Sequence, residues 1–352
     1  VRTTWVRTFA QAGNLGVVTG FDYLADETAQ VLVLTNRTWV PFTTFRGWSP
    51  YVQLEKPFGP LTLSGGLRYE FAELEVDDFT TLESSGSTFV RGGNPSFEEP
   101  LLNLGANWRI NDTVTVFGGF AQGYGMADIG RILRAINRPG LDVDDFISLN
   151  PVVTDNWETG VRLNGDGWQF GWSVYLSTAE LGARLVANAS GIFDVVRERS
   201  EIYGTELTGR VRLPARLGLV GGYLAVLEGK SDRDGDGTVD ARLPGANISA
   251  PKLGLYWDWT DTFSTRVQSL SLLPRDDPDG IAAGDFGGYT LFDLLATWRI
   301  VEGQTLSLGV ENVLDKDYIS YYSQTLTGSS ATAVNYFAGR GRTVTLRYAF
   351  SF

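Results

Sequence analysis

The 352 residues contain no cysteine, no histidine and one methionine. Without cysteine there is no disulfide framework, no thiolate nucleophile and no zinc knuckle. Without histidine the commonest transition-metal ligand and the usual general base are missing, and haem ligation through imidazole is excluded within these residues. No run of about 18 apolar residues occurs, so no helix is long and greasy enough to span a bilayer. An excess of positive charge is missing too. Lys and Arg number 29 against 41 Asp and Glu, a net charge of −12, which argues against a nucleic-acid partner. Glu98 and Glu99 stand side by side, but no nucleophile, base or phosphate loop accompanies them, so the sequence points away from an enzyme. The chain opens at Val1 with neither an initiator Met nor a signal peptide, and the expectation is a mature or truncated product.

What is present suits strands. Forty-two glycines, 20 phenylalanines, 14 tyrosines and 10 tryptophans fit tight turns and aromatic girdles, in a chain that is 43% hydrophobic. The last ten residues alternate throughout. Val344, Leu346, Tyr348, Phe350 and Phe352 point one way, and Thr343, Thr345, Arg347, Ala349 and Ser351 the other. Leu61, Leu63, Gly65, Leu67, Tyr69 and Phe71 form another apolar face, as do Trp168, Phe170, Trp172, Val174 and Leu176, and Leu253, Leu255, Trp257 and Trp259. A charge facing lipid at mid-depth costs roughly 2–4 kcal/mol for Arg or Lys. The charges therefore belong on a wet inner face, and register is strongly fixed. Segment 263–273 is the weakest, because Val267, Ser269 and Ser271 spoil its alternation.

Connections alternate between short and long. Turns at Pro57–Pro60, Asn111–Asp112, Asn164–Gly167, Pro214–Gly218, Thr260–Thr262 and Val301–Gly303 separate long polar loops at 24–46, 72–99, 123–153, 178–200, 230–249, 274–286 and 313–340. This is the mark of an all-β, transmembrane antiparallel up-and-down barrel, with turns on the periplasmic side and loops outside. Fifteen strands follow: 1–10, 14–23, 47–56, 61–71, 100–110, 113–122, 154–163, 167–177, 201–213, 218–229, 250–259, 263–273, 287–299, 304–312 and 341–352. Bacterial single-chain barrels have an even number of strands with both termini inside. An odd count therefore suggests that amino-terminal strands are missing, unless 29–40 hides one.

Leu306-Ser-Leu-Gly-Val-Glu311-Asn312-Val-Leu-Asp315-Lys-Asp317-Tyr318 resembles the penultimate-strand signature of TonB-dependent outer-membrane receptors, and Gly339-Arg340-Gly341-Arg342-Thr343 resembles their ending. Tyr51-Val-Gln53, Gly65–Tyr69, Asn156–Arg162 and Ile202–Glu206 are similar to other segments of that barrel. The resemblance implies that residues 1–352 are the carboxy-terminal portion of one 22-stranded barrel domain. It further implies a plug and a TonB box outside this sequence, a place in the outer membrane among lipid and lipopolysaccharide, and TonB-driven uptake. The stretches Arg91–Phe97 and Gly123–Arg134 are similar to ferric-siderophore receptors, especially those for citrate-hydroxamates such as aerobactin or schizokinen. Iron would then pass only as cargo, with no cofactor required. The alternatives are a passive porin, or TonB-dependent uptake of cobalamin or a saccharide.

Arg131, Arg134 and Arg138 are spaced three and four apart, so helical turns there would put their guanidiniums on one face. Arg suits bidentate capture of carboxylates, and a ferric citrate-type complex is anionic. The competing reading makes them ordinary loop residues, or partners for Asp142, Asp144 and Asp145. Arg91 and Tyr124 lie in the receptor-like stretches, and Trp39, Trp48, Tyr321, Tyr322 and Tyr336 are rim aromatics that could stack on a chelate or simply pack. Asp232, Asp234, Asp236 and Asp240, with Gly237 at the sixth position, resemble the first half of an EF-hand calcium loop. Leu243 stands where a bidentate Glu should be, and an exposed acidic turn is the plainer reading. On the inner wall, Arg68, Glu70, Glu158, Arg162, Glu206, Arg210, Arg212, Asp293, Arg299, Glu311 and Arg347 would meet a polar plug or form internal ion pairs.

Overall fold

The computed structural model describes residues 1–137, 139–145, 150–187, 193–214, 218–243, 248–276, 285–321, 323 and 338–351. Its strands are β1 (Arg2–Phe9), β2 (Leu15–Leu32), β3 (Arg37–Phe58), β4 (Leu61–Val76), β5 (Phe79–Thr80), β6 (Phe89–Val90), β7 (Ser96–Arg109), β8 (Val114–Gly125), β9 (Val152–Gly165) and β10 (Trp168–Ala187). They continue as β11 (Phe193–Arg212), β12 (Leu219–Ser231), β13 (Ala241–Arg242), β14 (Ile248–Asp258), β15 (Phe263–Leu272), β16 (Tyr289–Val301), β17 (Gln304–Glu311) and β18 (Thr343–Phe350). The α-helix α1 (Ile129–Arg134) lies between β8 and β9. Apart from the β5–β6 pair in the β4–β7 loop and the short β13 on β12, the strands form one antiparallel meander from β1 to β18. That path has fifteen strands, as the alternation of the sequence implies.

Two of the expected long loops are instead strand. Segment 24–46 is mostly a hairpin, β2 pairing with β3 out to Leu32↔Arg37. Segment 178–200 continues the β10–β11 pairing, after a bulge at Ala179/Gly182, to Ala187↔Phe193. Segment 263–273, despite its broken alternation, is the regular strand β15 paired on both sides.

Directly opposed residues in an antiparallel pair share a face. Arg68 faces Leu101, Glu158 faces Tyr175, Ser173 faces Glu206 and Gln268 faces Asp293, which gathers these positions on the inner face. The other face carries Leu67, Leu104, Trp172, Leu253 and Leu346, all exposed. Large apolar side chains left bare in one continuous band are what hydrocarbon solvates. Aromatic pairs bracket the band: Trp48–Phe71 at 5.8 Å and Phe120–Trp157 at 4.4 Å toward the loop end, Trp257–Trp259 at 4.4 Å toward the turn end.

Above Phe71 the chemistry of β4 changes sides. Its inner face runs from Arg68 and Glu70 to buried Ala72, Leu74 and Val76, while its outer face runs from Leu67, Tyr69 and Phe71 to Glu73 and Glu75. The period is unbroken; only the solvents have swapped. Leu74 and Val76 pack with Val90, Ala127, Ile132, Leu133, Ile136 and Val143, a small apolar core built from two loops folded against the inner side of the wall. On the outer side, Arg46 pairs with Glu75 at 2.9 Å.

The Glu311–Tyr318 signature has a structural job. Asn312 is buried in a left-handed conformation (φ 48°). Its side chain accepts from Lys316 N at 2.9 Å and donates to Lys316 O and Arg340 O at 2.9 and 3.2 Å. Asp315 accepts from Arg342 N at 2.8 Å. The segment thus staples the end of β17 to the approach of β18.

Candidate functional site

The β8–β9 loop carries α1 because Ile129, Ile132, Leu133 and Ile136 repeat at helical spacing, giving an apolar stripe for the loop core. Asp128 caps the helix, accepting from Arg131 N at 3.1 Å and pairing with Arg131 Nε at 3.0 Å. The opposite side of the helix presents Arg131 and Arg134. The Arg134 guanidinium lies 4.3 Å from the centre of the Trp39 ring, on β3. Two of the sequence-derived residues therefore meet, Arg134 and Trp39, while Arg131 shares the helix face and pairs with Asp128.

The others separate. Tyr124, at the end of β8, directs its hydroxyl to Met126 Sδ at 3.2 Å and lines an inner-wall cleft with Ser49, Arg68 and Glu70. Arg91 is exposed and pairs with Asp142 at 3.5 Å, a pairing the sequence offered only for Arg131, Arg134 and Arg138. Tyr321 is packed under Phe286, ring centres 5.0 Å apart, and takes a hydrogen bond from Arg275 Nη1 at 2.7 Å. Arg138, Tyr322 and Tyr336 lie outside the described residues.

Sequence reasoning missed Arg197. It sits beyond the bilayer-spanning part of β11 and donates to Leu181 O at 2.7 and 3.2 Å, to Asn150 O at 2.7 Å and to Pro151 O at 3.3 Å. It fastens the end of the α1-bearing loop to the β10–β11 hairpin, and burial lowers its pKa from the usual arginine value. No periodicity marks such a residue, since its partners are backbone carbonyls far away in sequence.

Asp232, Asp234 and Asp236 converge in the β12–β13 loop, with carboxylate oxygens within 4.8 Å of one another; Asp240 is not among them. Asp232 already accepts from Gly235 N and Gly237 N at 2.9 and 3.0 Å.

Inner-wall charge falls into two sectors. Across β1–β4, Asp22 binds Arg2 at 2.7 Å and Arg68 at 2.8 Å, while Arg68 and Ser49 both donate to Glu70. This network is closed on itself. From β9 to β15 the cations Arg162, Arg210, Arg212, Lys252 and Arg266 face the same lumen, and among the described residues no carboxylate lies within ion-pair distance of them.

The family model for the TonB dependent receptor-like β-barrel matches residues 2–313. The chain is 28% identical over 310 residues to the rhizobactin receptor of Rhizobium meliloti (strain 1021), covering 80% of this chain and 40% of that protein. It is 27% identical over 317 residues to the ferric aerobactin receptor of Klebsiella pneumoniae, covering 83% and 42%. It thus spans about two fifths of the length of these relatives. Among solved structures, the copper transporter OprC superposes with a TM-score of 0.75 at 20% identity, over 96% of this chain and 54% of that one, a likeness of fold alone. A wall with a lipid face, a wet face and a loop core at its outer end agrees with that match: the chain belongs to the TonB-dependent receptor-like β-barrel family of the bacterial outer membrane.

Proposed function

We propose that this chain is the carboxy-terminal part of a barrel that takes up a ferric siderophore of the citrate-hydroxamate class. The observation that carries the reading is α1, held over the inner side of the wall with Arg131 and Arg134 at one end of the mouth. Two guanidiniums three residues apart suit the carboxylates of an anionic ferric complex. Arg134, stacked on Trp39, offers a cation and a ring together. Support comes from the relatives, whose names are those of rhizobactin and aerobactin receptors.

Net transport requires work, because a ligand shifts an equilibrium only by its differential affinity for two states. In this reading the energy comes from a TonB complex acting on a plug, both outside residues 1–352. The greasy outer face meets lipid and lipopolysaccharide, and the Asp232–Asp234–Asp236 turn takes a calcium ion, an oxygen-only donor set that a hard cation favours.

The test is binding of ferric aerobactin to the full-length protein in outer-membrane vesicles. Saturable binding is expected, with Arg131→Gln plus Arg134→Gln weakening it by about tenfold or more through loss of charge-assisted hydrogen bonds. Equal binding by the double variant, or no binding by the unaltered protein, would overturn the reading.

A further inference from the structure

We propose that Arg7 and Lys56, on the outward face at the periplasmic end of β1–β3, hold the phosphate of a phospholipid headgroup. The cross-strand register decides which side chains face outward. Arg7, Val17, Leu54 and Gly65 share one row across the sheet. Two residues nearer the periplasm, Phe9 opposes Leu15 and Lys56 opposes Leu63. This is the face of Leu67 and Leu104, turned away from Arg68. Below the Trp48–Phe71 and Phe120–Trp157 girdle, the outward residues of the described strands include two charged ones, Arg7 and Lys56, and no carboxylate.

A charge on the lipid side costs about 2–4 kcal/mol at mid-depth and about 0–1 kcal/mol at the interface. Arg7 and Lys56 each stand two residues from the turn end of a strand, β1 closing at Phe9 and β3 at Phe58. At that level a long cationic side chain keeps its stem in hydrocarbon and its head among the headgroups. The two positions are built alike. The Arg7 guanidinium lies 5.0 Å from the centre of the Phe9 ring, and Lys56 Nζ lies 5.2 Å from that of Phe58. Each cation thus leans over a ring two residues on, toward the turns. Lys56 also reaches sideways: a Cβ on Gly13, in the β1–β2 turn, would stand 3.6 Å from its Cε and 4.0 Å from its Nζ. The two residues are two strands and one outward row apart, about 10 Å across the sheet and 7 Å along it. Two long side chains can close that gap on one phosphate.

Nothing nearby neutralises them. Neither has an ion-pair partner among the described residues. The turns at 10–14 and 59–60 carry no carboxylate, whereas four other short turns carry Asp112, Asp166, Asp261 and Glu302. In a chain of net charge −12, two bare cations on the lipid side are a local arrangement rather than an excess. A phosphodiester supplies the missing negative charge, Arg binding it through its planar fork and Lys as a point charge. The surface around the cations says which phosphate. Leu54, Phe58 and Leu63 are exposed and continue the hydrocarbon band upward, so headgroup and tails of one molecule fit a single face. That continuity selects a lipid of the periplasmic leaflet over a free anion.

The test uses the full-length protein, purified and delipidated in a neutral detergent, and no cargo, so that it stands or falls separately from siderophore binding. Phosphatidylglycerol is titrated in, and bound lipid is counted by native mass spectrometry. Arg7→Gln plus Lys56→Gln should weaken binding of the first phosphatidylglycerol by about tenfold or more, since two cations at headgroup level are lost. Arg46→Gln, on the outward face at the other end of β3 and already paired with Glu75, should change it by less than about twofold. Where the double variant fails to fold, Lys56→Gln alone should give a smaller loss in the same direction. Equal first binding by the double variant and the unaltered protein would mean that these cations hold no lipid. An equal loss from Arg46→Gln would mean a general effect of charge. Diacylglycerol binding as tightly as phosphatidylglycerol would mean that the tails alone carry the affinity. Release of the lipid by excess inorganic phosphate would mean that the site takes a free anion. Each of these four results overturns the proposal.

Discussion

The lower and upper halves of β4 have the same backbone and opposite chemistry. From Leu61 to Phe71 the outward residues are apolar and the inward ones polar; from Ala72 to Val76 the inward residues are apolar and the outward ones are Glu73 and Glu75. A strand fixes which residues share a face, and the surroundings decide which face is greasy. The switch at Phe71, beside Trp48 and Tyr69, marks where hydrocarbon ends and a water-surrounded loop core begins.

The comparison breaks most readily in the loop core. Leu133 is fully buried, and Leu133→Ala should destabilise that core by about 2–5 kcal/mol. Amide exchange should speed up in residues 126–137 and stay unchanged in β9 and β10. Exchange rising equally throughout would show that the two halves fold as one unit. Next comes the lipid face, where Leu67→Arg should cost about 2–4 kcal/mol in urea unfolding from bilayers while Glu73→Arg, six residues on, costs close to nothing. Similar losses from both would put the boundary elsewhere. The smallest effect expected is from Trp39→Ala, which removes the ring under Arg134 for about 0.5–2 kcal/mol and should raise proteolytic nicking around α1 without altering the barrel.

The halves also differ in how legible they are. Lipid writes a strict dyad, and segments such as Leu61–Phe71 and Trp168–Leu176 declare both strand and face. Their repetition yields the fifteen strands of the meander. Above the bilayer that signature disappears although the strand continues, which is why 24–46 and 178–200 read as loops. β15 was readable only through its neighbours, since Ser269 and Ser271 leave its outward face half polar while pairing to β14 and β16 holds it in place.

The site is legible in part. The spacing of Arg131 and Arg134 anticipates a helical face, and the Ile129, Ile132, Leu133, Ile136 stripe would have fixed it more firmly. The meeting of Arg134 with Trp39 joins residues 95 positions apart, and nothing local encodes it. Arg91 is no more local: a cation in a receptor-like stretch, it pairs with Asp142, 51 positions away.

The β2–β3 hairpin has a further consequence. A strand needs about 9–11 residues to cross the hydrocarbon, and β2 has 18. The surplus of roughly seven residues, at about 3.3 Å each, lifts the tip some 20 Å clear of the lipid along the strand direction. At the summit stand Val33 and Leu34, 94% and 98% exposed. Among the described residues, the β2–β3 hairpin thus offers the outside world a raised tip crowned with two aliphatic side chains.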